Sequence, residues 1–291
     1  MRKKWRSTAL IKWTAGLALM AALTLTDPVF VQDHASRTRT LVQNGPVMTD
    51  LIAEGRGPIV VILPSRGRDS EEFDEIASRL ANGGFRVLRP QPRGAGGSKG
   101  PSDNIRMQDL AAEIALMIER ENNGPAVIIG HAYGNWVARM TATDHPHLVR
   151  GIVLLAAAAK TFPDDLRIVV QKAGDLKASP NERLEALRKG FFKKAELAEL
   201  WLNGWAPEAN RIQGLASANT KQAEYWTAGK VPFLDLVPDN DPFKPKEKWF
   251  ETRDEFGSRA TVKIIPDASH ALVPEQPQAV STEILEWLRK L

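Results

Sequence analysis

The sequence contains no cysteine among its 291 residues. This absence excludes a disulfide framework, a thiolate nucleophile, a thiolate metal site and a lipidated cysteine. The chain also lacks a His-Glu-x-x-His pattern or any other metal-ligand spacing. Its one glycine-rich stretch, residues 94–97, is not followed by the Lys-Ser or Lys-Thr of a phosphate loop. We therefore expect neither a metal nor another cofactor.

An excess of basic charge is absent from most of the chain. The formal net charge is +4, but five of the 39 basic residues stand within residues 1–26, which contain no acidic residue. The remainder carries 34 basic and 35 acidic residues. This balance gives no reason to expect a nucleic-acid partner. A small-molecule substrate or ligand is the expected partner, and the oligomeric state stays open.

Long hydrophobic runs are also absent. The longest apolar run, residues 13–25, follows the basic segment and is shorter than the roughly 20 residues that a membrane-spanning helix needs. A basic segment before an apolar run of this length is typical of a secretory signal peptide. We predict a signal peptide over residues 1–26 and export to the bacterial periplasm or medium, with no membrane contact after cleavage. An uncleaved membrane anchor is the alternative.

Short apolar runs alternate with helical patterns from residue 58 onward. Strands are predicted at residues 58–63, 85–89, 126–129, 151–156, 231–237 and 261–265, and helices at 70–82, 104–121, 133–144 and 275–291. Residues 36–56 are expected to supply two leading antiparallel strands. This rhythm predicts an α/β fold with a mostly parallel central sheet and helices on both faces. Residues 160–229 interrupt it without a strand, which predicts a helical cap at the carboxyl edge of the sheet.

The most specific motif is Gly130-His131-Ala132-Tyr133-Gly134, which joins a predicted strand directly to a predicted helix. Glycine two places before and after the central residue permits a tight turn in which side chains would clash. Such a turn lifts the central residue to the top of the sheet, at the amino end of the following helix. The spacing therefore predicts a nucleophile elbow with alanine at its centre.

With this motif the chain resembles the α/β-hydrolase superfamily over residues 36–291. The family's elbow is Gly-x-Ser-x-Gly, and Ala132 stands where its serine would attack. Residues 93–98 look like the family's Arg-Gly-x-Gly-x-Ser loop, residues 268–270 like its histidine loop, and residues 275–277 like its last helix start. The resemblance implies an α/β-hydrolase fold with a helical cap insertion.

The same resemblance implies the other two triad members. His270 follows the last predicted strand, where the family keeps its general base, and Asp241 follows the preceding strand, where it keeps the acid. Asp239 is a near alternative to Asp241. The more distant alternatives are Asp164 and Asp165. The histidine of the elbow motif, His131, is expected to pack beneath the elbow without a catalytic role.

The loop after the first parallel strand, residues 64–69, occupies the place of the family's oxyanion loop. The N–H of Tyr133 and a backbone N–H of this loop are expected to stabilise an oxyanion. The loop donor is left open among Ser65, Arg66 and Arg68. An arginine side chain that points inward here would favour an anionic group, and solvent-facing arginines are the alternative.

Alanine at position 132 cannot form an acyl-enzyme. Loss of a triad serine in a comparable protease costs on the order of 10⁶ in kcat, or about 8 kcal/mol. Four interpretations remain: an introduced substitution, a non-covalent enzyme with His270 as base, a ligand-binding or sensing relative without catalysis, and a different nucleophile such as Ser65 or Ser269. The prediction is a hydrolase of a small, partly apolar ester-like or acyl substrate that uses the His270 and Asp241 pair. The inactive ligand-binding relative is the alternative.

Overall fold

A computed structural model describes residues 37–291 of the chain, which form an eight-stranded sheet with helices around it. The strands are β1 (Thr38–Asn44), β2 (Val47–Glu54), β3 (Ile59–Leu63), β4 (Arg86–Pro90), β5 (Ala126–His131), β6 (Val149–Leu155), β7 (Phe233–Pro238) and β8 (Ala260–Ile265). The helices are α1 (Asp74–Asn82), α2 (Met107–Glu121), α3 (Tyr133–Asp144), α4 (Asp165–Gly174), α5 (Pro180–Gly190), α6 (Pro207–Ala218), α7 (Glu251–Phe256), α8 (Leu272–Glu275) and α9 (Pro277–Leu288).

The strand order across the sheet is β1-β2-β4-β3-β5-β6-β7-β8. Only the pairs β1–β2 and β2–β4 are antiparallel, and all pairs from β4 to β8 are parallel. This confirms the α/β-hydrolase fold predicted above. Because the parallel strands all end at one edge, the loops after β3, β5, β7 and β8 meet there.

Both faces of the sheet are covered, which explains why the parallel strands are continuous apolar runs. Along β3, Val61 packs into the core beneath α2 and α3, whereas Val60 and Ile62 pack into the core beneath α1 and α9. This alternation follows from the two-residue period of a strand. All three side chains are fully buried, so the sheet is rigid where the loops leave it.

The segment between β6 and β7 is the helical insertion. It contains α4, α5, a 3₁₀ segment over Ala195–Leu202, α6 and a short 3₁₀ turn over Gln222–Glu224. Its first part has a small core of its own, in which Trp201 packs with Phe191 and Phe192. At the chain end, α9 lies within the single helix expected over residues 275–291. It begins at Pro277, and the short α8 before it ends at Glu275.

Within residues 37–291, no helix is both long enough and apolar enough to cross a membrane. The signal peptide or anchor predicted for residues 1–26 lies outside the described residues.

Candidate active site

The elbow has a strained backbone at its centre. Ala132 alone links β5 to α3, with φ of 45° and ψ of −110°. Residues other than glycine rarely adopt such backbone angles, and holding one there costs on the order of 1–3 kcal/mol. The backbone at Ala132 is therefore strained although the nucleophilic side chain that usually stands at this position is absent.

The two glycines of the motif are required by close backbone contacts. A Cβ at Gly130 would lie 2.4 Å from the Asn135 nitrogen, and a Cβ at Gly134 would lie 2.4 Å from the Leu63 carbonyl oxygen. Backbone atoms cannot move aside as a flexible side chain can. The packing of α3 against β3 and β5 thus fixes the turn whatever residue stands at position 132.

Hydrogen bonds hold Ala132 on both sides. Its N–H donates to the Leu155 carbonyl at 3.0 Å, and its carbonyl accepts the Asn135 N–H at 3.1 Å. The Asn135 side-chain amide donates to the same carbonyl. These bonds place the Ala132 methyl group at the wall of a cavity, where a serine hydroxyl would otherwise stand.

The structure brings His270 and Asp241 together. His270, in the loop between β8 and α8, places Nδ1 3.0 Å from Asp241 Oδ2, and both residues are buried. The second carboxylate oxygen of Asp241 accepts the Phe243 N–H at 2.9 Å. Since Nδ1 is engaged by the carboxylate, Nε2 is the ring nitrogen left to exchange protons at the cavity that His270 lines.

Two aromatic rings and a second histidine fix the position of His270. The imidazole packs against Phe243, with ring centroids 4.3 Å apart, and against Phe191 at 5.6 Å. Beneath the elbow, His131 donates its Nε2 proton to the His270 carbonyl at 2.8 Å. His131 thus contacts the backbone of the histidine loop and lies outside the cavity.

A buried carboxylate lies beside His131. Glu72 Oε1 is 3.8 Å from His131 Nδ1, and Glu72 Oε2 is 2.9 Å from Arg68 Nε. Burial acts to raise the pKa of Glu72, but the Arg68 guanidinium and His131 together hold it below its usual value. Arg68 and Glu72 thus form a buried ion pair beside His131, and His131 Nε2 supports the histidine loop.

The alternative acids and the alternative nucleophile of the loop lie elsewhere. Asp239 accepts from the Ala268 N–H at 3.3 Å and pairs with Lys193 at 3.4 Å. Asp164 and Asp165 stand exposed at the start of α4. The Ser269 hydroxyl donates to the Asn240 carbonyl at 2.9 Å. None of these four side chains contacts the His270 ring.

The cavity above the elbow has a volume of about 270 Å³. Its walls come from the elbow, the loop after β3, the histidine loop and the helical insertion. The lining residues are Ser65, Arg66, Ala132, Tyr133, Asn135, Trp136, Ala158, Phe162, Arg167, Val170, Gln171, Phe191, Trp205, Asn210, Phe243 and His270. A wall that combines aromatic and aliphatic side chains with polar ones suits a small, partly apolar ligand.

The loop after β3 is held against α6. The Gly67 N–H donates to Gln213 Oε1 at 2.7 Å, and the Ala206 N–H donates to the Gly67 carbonyl at 2.8 Å. Ser65 and Arg66 face the cavity from this loop. The Tyr133 hydroxyl donates to the Gln213 carbonyl at 3.0 Å, so its side chain is turned away from the ligand space. The oxyanion role predicted for Tyr133 concerns its backbone N–H and stays a prediction.

Arg68 lies outside the cavity, so the structure does not bring it together with the other predicted site residues. Its guanidinium is buried between the rings of Trp201 and Trp205, at 4.6 and 5.0 Å from the centroids. It pairs with Glu72 there, as described above. The Arg68 side chain therefore neither lines the cavity nor faces solvent. It connects the loop after β3 to the helical insertion.

Sequence reasoning missed Arg167, which lines the cavity from α4. The charge-rich stretch around it gave no signal, because a charged helix usually faces solvent. Asn210 was missed for a related reason, since its role depends on α6 packing against the loop after β3. Asn135 carried a weak signal, because a polar side chain directly follows the elbow glycine.

Known proteins share this fold and this family. A model of the alpha/beta hydrolase family matches residues 60–283. Pyrrolizixenacetamide deacetylase of Xenorhabdus hominickii is 31% identical over 117 residues, 40% of this chain and 44% of that protein. 2-(Acetamidomethylene)succinate hydrolase of Mesorhizobium japonicum is 28% identical over 123 residues, 42% of this chain and 43% of that protein. The solved structure of a thermophilic esterase from Thermogutta terrifontis has a TM-score of 0.69 at 23% identity, covering 88% of this chain and 99% of that one.

The family match covers most of the chain, and the elbow, the sheet and the position of the histidine loop agree with it. This protein belongs to the alpha/beta hydrolase family. Hydrolases are among its relatives, namely the deacetylase and the 2-(acetamidomethylene)succinate hydrolase. The chain spans less than half the length of the two curated relatives named above.

Proposed function

We propose that this protein hydrolyses a small, partly apolar acyl compound, an ester or an amide, without forming an acyl-enzyme. The observation that carries this proposal is the 3.0 Å contact between His270 Nδ1 and Asp241 Oδ2 at the wall of the cavity that Ala132 lines. A histidine held in this way is a suitable general base near neutral pH. The names of the deacetylase and of the 2-(acetamidomethylene)succinate hydrolase agree with acyl chemistry.

In the proposed reaction, a water molecule takes the space above the Ala132 methyl group. His270 Nε2 accepts a proton from this water while its oxygen forms a bond to the acyl carbon. The N–H of Tyr133 and the N–H of Ser65 or Arg66 stabilise the resulting oxyanion. His270 then returns the proton to the leaving oxygen or nitrogen as the bond from the acyl carbon breaks. Asp241 stays ionised and holds the imidazole in the required tautomer.

General-base catalysis of this kind typically raises the rate by about 10²- to 10⁴-fold. A complete triad contributes more, on the order of 10⁶-fold in kcat. We therefore expect slow turnover of activated acyl substrates. The test is hydrolysis of p-nitrophenyl acetate and p-nitroacetanilide by the wild-type chain and by His270→Ala. We expect His270→Ala to lower kcat/KM by about 10²- to 10⁴-fold. The exposed His147→Ala is the matched control and should leave kcat/KM unchanged.

Asp241→Asn probes the same pair without removing the base. We expect a loss of kcat/KM within the same range, because the amide cannot stabilise the protonated imidazole. Asp239→Asn is the matched control, since Asp239 pairs with Lys193 instead. Equal activity of Asp241→Asn and Asp239→Asn would contradict the assignment of the acid.

Ala132→Ser separates the non-covalent route from serine chemistry. Mass spectrometry after mixing with p-nitrophenyl acetate should find an acetylated protein for Ala132→Ser and none for the wild type. Acetylation of the wild-type chain at Ser65 or another residue would overturn the non-covalent route.

The second candidate function is ligand binding without catalysis. Ala132 itself favours it, because the one position that the fold presents to the acyl carbon has no nucleophile. A wild-type protein that binds small acyl compounds but turns none over, with His270→Ala behaving identically, would establish this candidate and exclude the hydrolase.

A further inference from the structure

Two guanidinium groups line the cavity, and nothing within residues 37–291 supplies an acidic side chain to its wall. Arg66 enters from the loop after β3, and Arg167 enters from α4. Two positive charges in one small space repel each other and are costly to desolvate. Such an arrangement calls for a negative partner, and the described part of the protein provides none inside the cavity.

Arg66 is held in place by neutral groups. Its Nε donates to Asn210 Oδ1 at 2.8 Å, and its Nη2 makes a long 3.5 Å contact with the Asn210 carbonyl. No carboxylate of residues 37–291 lies within ion-pair distance of this guanidinium, and Nη1 has no partner there. Burial and the nearby charge of Arg167 lower the pKa of Arg66, which agrees with an uncompensated cation. With Nε anchored and Nη2 turned toward Asn210, Nη1 is the nitrogen left for a ligand.

Arg167 approaches from the insertion and is more exposed. Its guanidinium lies 4.9 Å from the centre of the Phe162 ring, and Nε pairs with the exposed Asp164 at 3.0 Å. An exposed pair of this kind contributes little stability. Arg167 can therefore turn toward a bound anion without breaking a buried interaction.

We propose that Arg66, assisted by Arg167, binds a carboxylate that forms part of the substrate. This inference rests on the proposed function for the position of the acyl group above Ala132, and it adds the substrate class. The substrate is then a carboxylic acid that carries an ester or amide at its other end, short enough for a cavity of about 270 Å³. The apolar wall formed by Phe162, Val170 and Trp205 would contact the carbon chain between the two ends.

The test compares two ligands that differ in one charge, monomethyl succinate and dimethyl succinate. Isothermal titration calorimetry measures binding to the protein, and release of methanol measures hydrolysis of each. We expect the monoester to bind about 10- to 100-fold more tightly than the diester, as charge-assisted hydrogen bonds of this kind contribute.

Arg66→Met and Arg167→Met should each reduce this preference, and Arg66→Met should reduce it more, because Arg66 is the anchored and more buried group. We expect a loss of about 10-fold or more for Arg66→Met on the monoester and no loss on the diester. Arg188→Met, which removes the same charge from an exposed position on α5, is the control and should keep the full preference. Thermal melting of each variant establishes that it is folded. If Arg66→Met does not fold, Arg167→Met, at an exposed position, provides the test of the preference for the monoester.

The outcomes separate the two proposals. Equal binding of both esters by the wild type, or an unchanged preference in a folded Arg66→Met or Arg167→Met, overturns the carboxylate site even if both esters are hydrolysed. Tight, arginine-dependent binding of the monoester without methanol release supports the carboxylate site and overturns the hydrolase proposal.

Discussion

The elbow and the histidine loop meet at one cavity, but they keep their shapes by different means. At the elbow, backbone contacts at Gly130 and Gly134 force the turn, and the residue between them contributes only a methyl group. At the histidine loop, side chains do this work, since Asp241 holds the ring of His270 and His131 holds its carbonyl. The elbow can therefore lose its reactive group and keep its geometry. The histidine loop cannot lose its partners in the same way.

This difference explains why Ala132 retains its positive φ. The strained conformation is a consequence of how α3 packs against β3 and β5, and it does not depend on a nucleophile. Three substitutions test whether packing at one region and polar partners at the other are the true determinants.

Gly130→Ala should have the largest effect. The added Cβ would overlap the Asn135 backbone at 2.4 Å, and we expect the free energy of unfolding to fall by about 4 kcal/mol or more. Urea denaturation measures this loss. Gly124→Ala is the control, because Gly124 has a positive φ but open space around its Cβ position. It should cost only about 1–2 kcal/mol. Equal losses would show that the close contact at Gly130 does not determine the elbow.

Glu72→Gln should have a smaller effect that depends on pH. The folded protein holds the pKa of Glu72 below the ordinary 4.5. The ionised group therefore contributes stability above about pH 4.5, and this contribution is lost as the pH falls through the lower folded pKa. The Glu72→Gln variant lacks this stabilising contribution at every pH. We expect the gap in unfolding free energy between wild type and variant to narrow as the pH falls from 7 towards 3.

Urea midpoints across this pH range provide the measurement for Glu72→Gln. Glu75→Gln on α1 is the control, because that carboxylate is exposed and pairs only with Arg79. The difference in unfolding free energy between Glu75→Gln and the wild type should stay small and nearly constant. A constant gap for Glu72→Gln would mean that the negative charge of Glu72 does not contribute to the stability of the folded protein.

Ala132→Gly should have the smallest effect, and its sign is unusual. Glycine relieves a strain on the order of 1–3 kcal/mol but costs roughly 0.5–1 kcal/mol through the flexibility of the unfolded chain. We expect stability to stay level or rise slightly. Ala138→Gly, in the middle of α3, should instead cost about 1 kcal/mol. Similar losses at both positions would show that Ala132 is unstrained.

The sequence predicted the fold well where local signals are strong. The helix predicted over residues 133–144 coincides with α3, and the two leading strands lie within the segment expected for them. Apolar runs and glycine spacing report directly on buried strands and tight turns. The pairing of His270 with Asp241 was implied by the resemblance to the α/β-hydrolase superfamily, and the two side chains lie 3.0 Å apart.

The direction of the arginine side chains was not predictable. Arg66 and Arg68 are two residues apart in one loop, yet Arg66 lines the cavity and Arg68 is buried against Trp201 and Trp205. Which of them turns inward depends on α6 and the 3₁₀ segment of the insertion, more than 130 positions later in the chain. Arg167 was missed for the same reason, since a charged helix position is ordinary until the helix covers a cavity.

By itself, the sequence determined the sheet, the elbow and the identity of the residue at its centre. These features depend on short-range patterns, namely the alternation of buried strands and the glycines on either side of Ala132. Tertiary structure alone decided which charges face the ligand, because side-chain directions depend on contacts between distant segments. From the sequence alone, the alanine excludes a serine nucleophile at the elbow position. The two guanidinium groups at the cavity wall, visible only in the fold, point to the kind of molecule that the cavity would hold.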